Sequence, residues 1–200
     1  MRSVSNANRK VHNQLVELSS SSSSSSVISN HEEADTMLIL HAIYASENHQ
    51  TVHIMSSDTD VLILDLRTLP QLGPHTCVIN RIGSKRKLVL LQPIYDALGS
   101  DVVAALPGFH AFTGCDITGR FAGKGKKSCW KVFVKARKGV ITAFDKLGQG
   151  QCPSDEDYQF LEEFVCHLYQ PNTKETSMSR LQWNVFKQSQ AEAERLSATH

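Results

Sequence analysis

An α/β fold is what this sequence predicts, and three observations carry the expectation. TVHIM (51–55) and HTCVINRI (75–82) are short apolar runs rich in β-branched residues, the signature of buried strands. A segment of helical periodicity, SSDTDVLILDLRTL (56–69), stands between them, and another, NHEEADTMLILHAIYA (30–45), precedes them. Both segments open on capping residues. Strands that alternate with helices give a sheet covered by helices, and the expected sheet is parallel.

The elements follow in order. Eight consecutive serines, Ser19–Ser26, cannot bury apolar area, so residues 1–29 are read as a disordered or low-complexity segment with a poly-Ser linker. Asn30 with Glu33 three residues on makes a capping pattern, after which Ala34, Met37, Leu38, His41, Ala42 and Ala45 recur at helical spacing. Ile39 and Leu40 make that helix apolar nearly all round, which predicts a buried one. After the TVHIM strand, Ser57 with Asp60 is read as the cap of the next helix. HTCVINRI ends in a basic turn, GSKRK, and QPIYDALG and SDVVAALPGFHAFTG read as helices, the second interrupted near Pro107. ITGRFAGKGKKSCWKVFVKARKGVITAFDKLG reads as a glycine turn between helical pieces, and residues 154–169 and about 175–196 as peripheral helices forming a C-terminal extension, 149–200.

Composition narrows the function. Forty per cent hydrophobic and 20% charged residues are the values of a globular chain rather than of a disordered one. No apolar run approaches the roughly 18 residues of a membrane helix, so no membrane partner is expected. The opening residues lack an apolar signal core, and a transit peptide has weak support. Five cysteines without a C-x-x-C pair fit a reducing compartment, and no Cys/His spacing suits zinc. Net charge is +1, yet Arg120 to Lys138 holds eight Lys or Arg and no acid. Such a patch points to a polyanion meeting one face.

The acids collect at element junctions. Asp58 and Asp60 follow an expected strand, Glu33 and Asp35 open a helix, and Asp116 ends the apolar segment FTGCD. Loops beyond the carboxyl ends of strands are where α/β folds place their functional residues. Taken singly, each acid has an ordinary structural role, because aspartate bonds its own backbone in turns and acids favour helix N-termini. Their order changes that weighing. HEEAD before an apolar helix, a strand followed by SSDTDVLIL, and TGCD followed by GRFAGKGKKSCWKVF together resemble the internal nuclease region of the flap endonuclease and xeroderma-pigmentosum-G family, a branch of the PIN-like nucleases. The match spans residues 30–148.

The resemblance implies a PIN-like three-layer sandwich, a helix-hairpin-helix-like element at about 117–138, and divalent-metal-dependent phosphodiester hydrolysis. Glu33, Asp35, Asp58, Asp60 and Asp116 would be its catalytic and metal-binding residues, holding Mg2+ or Mn2+ as a pair of ions. Gly123, Lys124, Gly125, Lys126, Lys127 and Lys131 would hold the nucleic-acid backbone without reading sequence, with DNA expected ahead of RNA and the nucleus ahead of the cytoplasm. In that family further aspartates come from a preceding half. Residues 1–29 contain the single acid Glu17, so the expectation is a divergent, shortened member. Its alternative is a catalytically incomplete module that binds nucleic acid or a protein. Two other motifs compete with this reading. GKGKKS fails the P-loop spacing because Lys124 stands where the second glycine belongs, and DTDV as a phosphatase nucleophile motif leaves HEEAD without a role.

Overall fold

The computed structural model describes residues 34–82, 85–115, 119 and 121–197. They fall into two compact units, one ending at Val103 and one starting at Ala104. Residues 30–148 thus contribute to both.

In the first unit, helix α1 (Ala34–Asn48) leads to strand β1 (His53–Met55), helix α2 (Thr59–Leu72), strands β2 (Cys77–Ile82) and β3 (Lys85–Leu90), and helix α3 (Leu91–Leu98). The cap of α1 expected at Asn30 and Glu33 lies outside the described residues. Although α1 is apolar all round, only Ile39 and Ala42 are fully buried, because the helix packs along α2 and its other flanks stay half-covered. The core of this unit joins them to Val52, Ile54, Val61, Leu66, Leu69, Leu72, Cys77, Val78 and Leu91.

The sheet has the order β1-β2-β3 and is mixed, which corrects the expected all-parallel sheet. β1 runs parallel to β2, with His53 opposite Cys77, and their connection is α2. β3 runs antiparallel to β2, with Cys77 opposite Leu90 and Ile82 opposite Lys85. Two residues separate β2 from β3, far fewer than the dozen or more that a parallel crossover needs. The basic stretch expected as a turn is therefore mostly strand. Its lysines mark it as an edge, and Leu88 and Leu90 are more than half exposed.

Helix α4 (Ser100–Phe112) contains the boundary between the units, and it passes through Pro107 without the expected interruption. The second unit continues with α5 (Lys126–Phe133), α6 (Lys138–Gly148), α7 (Asp155–Tyr169) and α8 (Met178–Ser197). Its core is aromatic. Phe109 stacks on Phe133 at 4.3 Å between ring centroids, and Phe144 meets Phe164 edge-on at 5.0 Å. Phe164 lies on α7, as do buried Leu161, Cys166 and Leu168, so α7 is central rather than peripheral. Among the described residues the cysteines are thiols rather than disulfides.

Two charged clamps hold α7 against its neighbours. Arg137 donates from Nε to both carboxylate oxygens of Glu163 at 2.8 and 3.0 Å and from its terminal nitrogen to Oε2, while its guanidinium covers Phe160. Ser154 and Asp157 form a reciprocal capping box, and Lys146 of α6 donates to Asp157 at 2.9 and 3.0 Å. The Lys146 and Ser154 hydrogen bonds hold the Asp157 carboxyl at about 2 against an ordinary 3.8. A depressed folded pKa stabilises fully above the unfolded value and is lost as pH falls through the folded one. Urea denaturation between pH 5 and pH 2 should show the second unit weakening over that span. Asp157→Asn should flatten this acid arm and lower stability at neutral pH.

Candidate functional site

The carboxylate site is built by the β1–α2 junction. β1 ends at Met55, and three residues later Asp58 starts α2 from an extended conformation, φ −81° and ψ 136°. Its side chain, not that of Ser57, caps the helix: Asp58 Oδ1 accepts the backbone N–H of Asp60 at 2.9 Å. Ser56 Oγ in turn accepts the N–H of Asp58 at 3.0 Å. Asp58 takes this role because an aspartate two residues before an amide reaches it as an Asx turn. Asp58 is exposed and Asp60 half-buried. Their place is beyond the carboxyl end of a strand paired parallel to its neighbour, the position expected from the sequence.

Asp35 lies in the first turn of α1, the helix packed along α2, and is half-buried. Glu33 and Asp116 lie outside the described residues. Among the described residues no three His, Cys, Asp or Glu side chains come together as a metal cage. The structure thus brings Asp58 and Asp60 to one helix end and places Asp35 in the same unit. Carboxylate oxygens are the donors a hard cation takes, and Asp58 keeps its second oxygen outside the cap bond.

The basic site belongs to the second unit. Gly123 adopts φ +68°, which only glycine takes without strain, and the chain then enters α5 through Gly125, whose cap position carries no side-chain hydrogen bond. The glycine turn leads into α5, as expected, and residues 134–137 join α5 to α6. The first turn of α5 holds no acid. Lys126, Lys127 and Lys131 are exposed, with Lys127 and Lys131 one turn apart. Amides opening a helix among lysines make a place for an anion.

Three features here were not legible in the sequence. Tyr169, at the end of α7, donates its hydroxyl to the Ala122 carbonyl 47 residues away and lies under the Lys124 ammonium, 5.5 Å from the ring centroid. His110 of α4 contacts the Lys126 ammonium at 2.7 Å. Arg137, counted in the basic run, is committed to Glu163. Contacts across such separations leave no local pattern. Asp65 differs: a lone acid inside VLILDL, in register with Val61, Leu69 and Leu72, is a visible signal of a buried carboxyl. It is fully buried. The chain matches no family model, no curated protein and no solved structure in comparison with known proteins.

Proposed function

We propose that this chain is a PIN-like nuclease module, similar to the internal region of flap endonucleases, that hydrolyses phosphodiesters of single-stranded or branched nucleic acid. The observation that carries the reading is the position of Asp58 and Asp60, which open α2 directly after the carboxyl end of β1. The proposed fold is the PIN-like sandwich, with β1 and β2 as its parallel part. Asp58, Asp60, Asp35, Glu33 and Asp116 would hold Mg2+ or Mn2+. That metal chemistry supplies an activated water and neutralises the leaving oxygen. The chain's own part is positional. Asp58 fixes the start of α2 through its cap and so orients Asp60, and the Gly123–Lys131 segment holds phosphates by charge and backbone N–H groups. DNA is favoured over RNA, and the nucleus over the cytoplasm.

A second reading, a module that binds nucleic acid without cleaving it, is favoured by the engagement of Asp58 Oδ1 in an ordinary cap. One experiment separates the two. Labelled single-stranded and flapped DNA are incubated with the full chain in Mn2+, and binding is measured in parallel in a chelator. The nuclease reading expects metal-dependent cleavage, abolished in the Asp58→Asn, Asp60→Asn double variant with binding kept or improved. Asparagine caps helices as well as aspartate does, so loss of cleavage reports the charge rather than the fold. Cleavage that survives the double variant overturns the nuclease reading, and binding without any turnover establishes the second.

A further inference from the structure

Helix α8 is anchored at its start and exposed from Gln182 to Gln190. Leu181 is 3% exposed, and the Met178 N–H and Ser177 hydroxyl both donate to Glu162 of α7. Every described side chain from Gln182 to Gln190 is exposed. Among them are Trp183, 55% exposed, and Phe186, 51% exposed, whose rings stack at 6.0 Å with 25° between planes. Lys187 places its ammonium 5.0 Å from the centre of the Trp183 ring.

The direction of these side chains is informative. At about 100° per residue, Trp183 lies roughly 200° round the helix from Leu181, Phe186 roughly 140°, Lys187 roughly 240° and Arg180 roughly 260°. Two aromatic rings and two cations thus share the side of α8 opposite its anchor. A helix that packs only into its own unit turns its rings inward with its leucine, and here they turn outward. Residues 178–190 contain Arg180 and Lys187 and no acid.

We infer that the Trp183–Phe186 face of α8, flanked by Arg180 and Lys187, is a stacking platform for the bases of a single-stranded nucleic acid. Flat apolar rings accept a base of any identity, and the adjoining cations match its phosphates. Bases inside a duplex are already stacked and cannot use the rings, so the platform selects unpaired strand. A second copy of the chain is a poorer occupant, because a two-fold pairing of this face would set Arg180 and Lys187 of each copy against the same pair. The inference deepens the proposed nucleic-acid function by naming single strand as the class that this face takes, and it rests on that reading for its biological setting only.

The test is fluorescence anisotropy of the full chain with a labelled thymidine oligonucleotide and with a duplex of equal length, in a chelator so that no cleavage intervenes. Trp183→Ala and Phe186→Ala, both exposed and outside the core, should each weaken single-strand binding by roughly ten-fold and leave duplex binding unchanged. Neither ring neutralises a phosphate, so the salt dependence should stay as it was, whereas Lys187→Gln should lower its slope. Unchanged single-strand affinity in the Trp183→Ala, Phe186→Ala double variant overturns the inference. So does a chain that sediments as a dimer and becomes a monomer on Trp183→Ala, and so does an absence of single-strand binding. Cleavage by the unaltered chain, scored separately in Mn2+, reports on the nuclease reading whatever the rings do.

Discussion

Gly108→Ala should destabilise the second unit by about 3 kcal/mol or more, the upper end of what overpacking a tight contact costs. A Cβ built at Gly108 of α4 would sit 2.0 Å from the Phe144 carbonyl oxygen and 2.8 Å from the Gly148 amide nitrogen, both backbone atoms of α6. Gly148 is equally constrained, its own Cβ meeting the Gly108 nitrogen at 2.7 Å. Backbone cannot rotate away as a side chain can, so α4 and α6 would have to separate. That separation would loosen Phe109 and Phe112 from Phe144, the centre of the aromatic core. Helix propensity pulls the other way, since alanine is favoured over glycine inside a helix by about 1 kcal/mol. That gain is smaller than the packing cost, so urea denaturation should show a net loss of stability. Gly125→Ala is the control: its Cβ meets nothing within 4 Å and its φ of −82° is ordinary, so stability should move by no more than about 0.5 kcal/mol. A stable Gly108→Ala variant would show that the two helices do not meet at this point.

The same contact explains part of what the sequence conceals. Pro107 predicts a helix break from local chemistry, but the turn that follows it is held against α6 at Gly108, and tertiary packing carries the helix to Phe112. β3 was hidden for another reason. KRKLVL shows no apolar alternation, because an edge strand with exposed Leu88 and Leu90 has little buried face to impose a period of two. By contrast, the α1–β1–α2–β2 order and the α7 helix start at Ser154 were legible, since buried runs and caps are local signals. The placement of Asp58 and Asp60 was legible on the same ground, and only their cap was misassigned by one residue. The aromatic core of the second unit was not, because it is assembled from four helices whose phenylalanines have no common spacing.

Asp65→Asn should remove most of the dependence of the first unit's stability on pH between about 4 and 7. Asp65 is fully buried on α2 beside Val61, Leu66 and Leu69, and among the described residues neither carboxylate oxygen has a hydrogen-bond partner. Burial pushes its pKa from 3.8 up to about 7. The unfolded chain releases this proton near pH 4, whereas the folded unit retains it until pH 7, so across that window unfolding releases a proton and stability falls as pH rises. The loss is complete above pH 7. A shift of that size corresponds to about 4 kcal/mol, which is large beside the 5–15 kcal/mol of an ordinary domain. Asparagine has the shape of the protonated acid and no proton to lose. The variant should therefore match the unaltered chain at pH 4, exceed it at pH 8, and show a flat profile between. Equal stabilities at both pH values would place the Asp65 carboxyl in contact with water or a cation. Because Asp157 weakens the second unit only below pH 4 and Asp65 weakens the first only above it, the two units should respond to pH in opposite directions. Denaturation at pH 2.5 should then find the second unit weakened, and denaturation at pH 8 the first.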